Sequence, residues 1–70
     1  MKYEVAVFNK KVRDTIRSGD EYIGFVPLKY ENVILHEIYA TTIVEATKRA
    51  ETKWPSHSGY VIEALRFLKH

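Results

Sequence analysis

Residues 42–54 constrain the fold more than any other segment, because they must form a helix while both flanking segments favour strands. Thr42 and Glu45 have the spacing of a capping box, in which the threonine caps the helix and the glutamate reaches back to the Thr42 amide. Pro55 ends the helix at residue 54, since the residue before a proline avoids the α region. The residues predicted to face the core lie within about 100° of one another on a helical wheel: Ile43, Ala46, Thr47, Ala50 and Trp54.

Four other segments have the alternating, β-branched and aromatic composition of strands. Residues 3–8 place Tyr3, Val5 and Val7 on one face. Residues 22–28 and 33–40 form a hairpin around a polar turn. Pro27 cannot donate to a strand ladder, which places the first of these two strands at the sheet edge and the second at the centre. Residues 60–68 form the last strand.

Two of the predicted elements have alternatives. Residues 60–68 also fit a helix, with Val61, Leu65 and Leu68 on one side. Residues 10–18 fit a short helix between an Asn9 cap and a Gly19 stop, or else an irregular basic loop.

The order of the elements predicts an α+β fold with a small antiparallel four-stranded sheet and helices on one face. A strand–helix–strand–strand–helix–strand order is that of ferredoxin-like βαββαβ domains, in which the strands lie in the order 4-1-3-2. The alternative is a four-stranded antiparallel sheet covered only by the helix at residues 42–54.

The 70 residues form a single domain, residues 1–70, of marginal stability. Apolar burial and the conformational entropy of ordering nearly cancel for such a chain, at roughly 105 kcal/mol each. The absence of cysteine excludes disulfides and Cys-based metal sites. Since no signal peptide or membrane span is visible, we expect a cytoplasmic protein that does not enter membranes.

No motif in the sequence indicates catalysis, a cofactor or a metal. The histidines His36, His57 and His70 lack the spacing of a zinc site, and the glycines are isolated rather than gathered in a phosphate-binding loop. We therefore expect neither an enzyme nor a small-molecule substrate.

The sheet face that points away from the helices is the first candidate site, because it is too apolar to remain in water. A protein partner or a second copy of the chain would cover it; three glutamates on the same face would repel nucleic acid. The predicted interface consists of Phe8, Leu35, Tyr39, Val61, Leu65 and Phe67. This assignment fails if the faces are reversed or if residues 60–68 are helical.

A basic ridge on the first helix is the second candidate site. It comprises Lys10, Lys11, Arg13 and Arg17 in a chain whose net charge is only +2. Such a ridge predicts weak, sequence-independent contact with nucleic-acid phosphates. The alternative is an ordinary solvated helix face.

Overall fold

The computed structural model describes residues 1–69 and has an α+β architecture, as predicted. Its strands are β1 (Lys2–Asn9), β2 (Ile34–Tyr39) and β3 (Tyr60–Leu68), and its helices are α1 (Lys10–Arg17) and α2 (Ile43–Lys53). Short 3₁₀ helices occupy Leu28–Glu31 and Ser56–Ser58. The strands form one sheet in the order β2-β1-β3, and both outer strands run antiparallel to β1.

β1 is the central strand, because it pairs with β2 on one side and with β3 on the other. Tyr3, Val5 and Val7 are buried on one face, as predicted, whereas the residues between them are half-buried on the other. The strand predicted at residues 33–40 is confirmed as β2, but its predicted central position is wrong. β2 lies at an edge, because no further strand of the described chain pairs with its outer side.

The predicted strand at residues 22–28 is also wrong, and so therefore is the four-stranded sheet. Residues 24–26 form bends, and the chain enters a 3₁₀ helix immediately after Pro27. The cause is Tyr30, whose side chain is buried in the core. Its hydroxyl shares a 2.9 Å hydrogen bond with His36 Nε2, and its ring stacks on the imidazole. Packing of Tyr30 thus takes the chain away from the sheet edge.

The helix predicted at residues 42–54 is confirmed. Thr42 Oγ1 accepts a 3.2 Å hydrogen bond from the Glu45 amide, which is the expected cap. The Glu45 carboxylate accepts instead from the Thr41 hydroxyl at 2.9 Å, so it does not return to the Thr42 amide as predicted. Ala46 and Ala50 are fully buried, which allows α2 to lie close to the sheet.

The helix predicted at residues 10–18 is confirmed as well, and it depends on Asn9. The Asn9 side chain accepts from the Val12 amide at 3.2 Å and donates to the Ser58 carbonyl at 3.1 Å. The core cluster contains side chains of α2, as expected for a helix that covers one sheet face, whereas the fully buried Val12 of α1 lies outside that cluster.

Residues 60–68 form a strand rather than a helix, but β3 contains a bulge that the sequence did not reveal. Ala64 pairs with Ala6, whereas the next pair is Ile62 with Val7, so Glu63 is an extra residue in the ladder. An extra residue moves every following side chain to the opposite face. The bulge therefore places Leu65 and Phe67 on the α2 side of the sheet.

Candidate protein-interaction surface

The side of the sheet opposite α2, here called the open face, carries four of the six predicted interface residues. The pairs Lys2–Tyr39, Ala6–Leu35 and Phe8–Val61 place Leu35, Tyr39, Phe8 and Val61 there. The prediction is wrong for Leu65 and Phe67. Leu65 packs against the core, and the Phe67 ring meets Tyr3 edge-on at 5.6 Å, both on the α2 side.

Exposed apolar surface on the open face is concentrated on β2. Leu35 and Tyr39 expose 60% and 63% of their surface, whereas Phe8 and Val61 are half-buried. The Arg13 guanidinium lies over the Phe8 ring, with 3.7 Å from its carbon to the ring centroid. The α1 end of this face is thus partly closed, and its β2 side is open.

Two cross-strand ion pairs neutralise the middle of the open face. Arg66 contacts Glu4 at 2.7 Å, and Lys2 contacts Glu37 at 3.1 Å. The hydrogen bond to the Glu37 carboxylate, reinforced by its charge, raises the pKa of Lys2. Of the three glutamates predicted for this face, two are therefore paired, and the third, Glu63, is the bulge residue.

A groove lies at the outer edge of the sheet, between β2 and α2. Its volume is about 550 Å³. The lining combines apolar, hydroxyl and charged side chains: Glu37, Ile38, Tyr39, Glu45, Lys48, Arg49, Thr52 and Lys53. Arg49 pairs with Glu45 at 2.9 Å, whereas Lys48 and Lys53 form no ion pair with the residues that the structure describes. The groove therefore offers two lysines to an acidic ligand.

The sequence could not reveal this groove, because a fourth strand was expected beside residues 33–40. The exposed side chains of Ile23 and Phe25 were missed for the same reason. Both belong to the segment that was interpreted as that strand, and both protrude into solvent.

The basic ridge is divided by contacts within the fold. Arg13 Nε donates to the Glu31 carbonyl at 2.9 Å, and Lys11 Nζ reaches the His57 carbonyl at 3.4 Å. Lys10 and Arg17 are exposed. The four cations therefore do not project together from α1. Arg13 instead packs on Phe8 and binds the loop that contains Glu31.

The histidines occupy unrelated positions. His36 lies in an aromatic cluster, 4.6 Å from Trp54 between ring centroids, and burial lowers the pKa of His36, with smaller effects from Lys29 and Lys53. His57 is in a 3₁₀ helix, and His70 lies outside the described residues. Residues 1–69 bring together no group of three or more metal-ligating side chains.

Comparison with protein families, curated proteins and solved structures gives no match for this chain. Within residues 1–69, none of the helices has the length and apolar character needed to cross a membrane. The function must therefore be argued from the geometry of the chain itself.

Proposed function

We propose that the protein is a non-catalytic interaction module that self-associates through the β2 side of its open face. The observation that carries this proposal is the exposure of Leu35 and Tyr39 on a sheet face that α2 does not cover. Apolar side chains of this size, exposed on one face of an ordered strand on either side of Glu37, favour burial against another protein. The neutralised ion pairs beside them remove the electrostatic cost of bringing two such faces together.

The shape of the single chain supports the same proposal. Its radius of gyration is 13.2 Å, against about 11 Å for a compact domain of this length. Its accessible surface is 4990 Å², against about 4,500 Å² for a typical monomer of 8.2 kDa. Association would therefore add more stability to this marginally stable chain than to a compact one, because it would bury the additional surface.

The nucleic-acid alternative has less support. Only Lys10 and Arg17 of the basic ridge are without a contact that holds them to the fold among the described residues. Two phosphate contacts would supply only weak binding at physiological salt.

We also infer that the sheet is a ferredoxin-like sheet without one strand. The observed order β3-β1-β2 matches three consecutive positions, 4-1-3, of the expected order. The fourth position is the outer side of β2, next to the proposed interaction surface.

Light scattering after size exclusion, from micromolar to millimolar concentration, tests self-association. We expect a concentration-dependent dimer that Leu35→Glu weakens. Val44→Glu is the matched control, because Val44 has nearly the same exposure but projects from the first turn of α2. A wild-type chain that remains monomeric throughout the range would refute the proposal.

A further inference from the structure

The outer edge of β2 is a vacant strand position. An edge strand carries backbone N–H and C=O groups that no neighbour pairs, and it is a template for another strand unless charge or proline protects it. β2 contains neither lysine nor proline, and its one carboxylate, Glu37, is paired with Lys2. This edge is therefore open to pairing.

Residues 22–25 are an unpaired segment with the sequence of a strand. Ile23 exposes 88% of its surface and Phe25 is fully exposed. Two large apolar side chains this exposed within one short segment are unusual in a soluble domain. The segment is folded back by a 3.3 Å hydrogen bond from the Val26 amide to the Tyr22 hydroxyl, a partly buried contact that costs little to break.

Pairing of this segment with β2 of the same chain would require a tight hairpin around residues 29–32. Tyr30 lies in that turn, and it would have to leave its buried site between His36 and Tyr60. Val26 would also lose its contact with the core. A second copy avoids both losses, because residues 22–25 precede these anchors and can extend while Val26 and Tyr30 stay in place.

The two sides of the segment match the two sides of the β2 edge. In an extended strand, Ile23 and Phe25 point to one side, whereas Asp20 and Tyr22 point to the other. The β2 edge offers exposed Leu35 and Tyr39 on the open face, and Lys48 and Lys53 in the groove between β2 and α2. Apolar side chains thus meet apolar ones, and Asp20 faces the lysines, whereas Glu21 lies on the side of Ile23 just before the paired residues.

We propose that residues 22–25 of one copy pair as a fourth strand with the β2 edge of a second copy. Ile23 and Phe25 then cover Leu35 and Tyr39, and Asp20 lies near Lys48 and Lys53. This inference rests on the proposed self-association and names the segment that the partner copy contributes.

Substitution of the donated side chains is the first test. Ile23→Asp with Phe25→Asp removes two apolar side chains from the interface, so we expect the dimer dissociation constant to rise about 100-fold or more. Leu28→Asp is the matched control, because Leu28 is also an exposed apolar residue of the same loop but lies beyond the paired residues. Circular dichroism of each variant checks that the monomer remains folded.

A gain of association gives the second test. A Cβ at residue 24 would collide with the Tyr22 side chain that folds the segment back. Gly24→Val therefore disfavours the folded-back form and favours an extended strand, and we expect a dimer at least several-fold tighter.

Charge reversal gives the third test. Lys48→Glu with Lys53→Glu should weaken association about 2- to 5-fold, and Asp20→Lys in the same chain should restore part of the loss.

The outcomes separate this inference from the proposal on which it rests. If Leu35→Glu abolishes the dimer but Ile23→Asp with Phe25→Asp does not, strand donation is overturned and self-association stands. A monomeric wild type would overturn both. Loss of the dimer in the double variant, retention in Leu28→Asp and tightening by Gly24→Val would together support it. A peptide of residues 18–27 that competes with the wild-type dimer would add direct evidence.

Discussion

Single side chains with several contacts hold the parts of this small molecule together. Asn9 is fully buried at the junction of β1 and α1, where it caps the helix and also binds the loop before β3. Arg13 covers Phe8 and binds the Glu31 carbonyl. Tyr30 and His36 join the loop after α1 to the core. The Asn9–Ser58 and Arg13–Glu31 contacts join residues distant in the sequence, whereas the sequence predicted only the local cap.

Asn9→Ala should lower the free energy of unfolding by about 2 kcal/mol, because it removes the α1 cap and leaves the Ser58 carbonyl without its donor. Urea unfolding measures the change. Asn32→Ala is the control, since Asn32 is exposed, and it should change stability little. A loss below about 0.5 kcal/mol for Asn9→Ala would contradict the double role.

His36 should make stability depend on pH. Its pKa is lowered in the folded chain, first by burial and then by Lys29 and Lys53, so below its ordinary pKa of about 6.5 the unfolded chain binds the proton more readily. The contribution of neutral His36 to the free energy of unfolding is therefore complete above that pKa. It is lost as the pH falls from there towards the pKa of His36 in the folded chain.

Unfolding free energies between about pH 7.5 and 5.5 measure this dependence. His36→Gln should flatten the profile, and His57→Gln, at an exposed histidine of the second 3₁₀ helix, is the control. An identical slope in the wild type and His36→Gln would show that another group is responsible.

At the scale of elements, the sequence correctly predicted the strands and helices that local residue patterns specify. Alternation identified β1, and the capping residues with Pro55 identified α2. The error at residues 22–28 arose because the buried packing of Tyr30 outweighs a local strand preference. The bulge in β3 was missed because it exists only in the register with β1, and this error misplaced Leu65 and Phe67 in the candidate site.

Deletion of Glu63 tests the bulge. It should give a regular ladder that keeps every other β3 side chain on its present face, so the free energy of unfolding should change by less than about 1 kcal/mol. Deletion of Arg66 is the matched control. It shifts the end of β3 by one residue, so that Phe67 leaves Tyr3 for the open face, and it removes the Arg66–Glu4 ion pair; it should cost about 2 kcal/mol. Equal losses for the two deletions, measured by urea unfolding, would contradict the assigned register.

At the scale of the whole molecule, a three-stranded sheet and two helices form an elongated unit of 41 × 22 × 15 Å. An open sheet edge, the exposed side chains of Leu35 and Tyr39, and the lysines of the neighbouring groove all lie at β2. The opposite edge, β3, contains a bulge, a device that disfavours pairing with another strand. The asymmetry of the two edges is why association is expected at β2.

Association at the β2 edge is tested directly by backbone amide hydrogen exchange, followed residue by residue over a range of protein concentrations. We expect the outward-facing amides of β2, within Ile34–Tyr39, to become protected as concentration rises, while the outer amides of β3 exchange at a constant rate. Protection of β2 that does not change with concentration, or protection that rises at β3 instead, would contradict it.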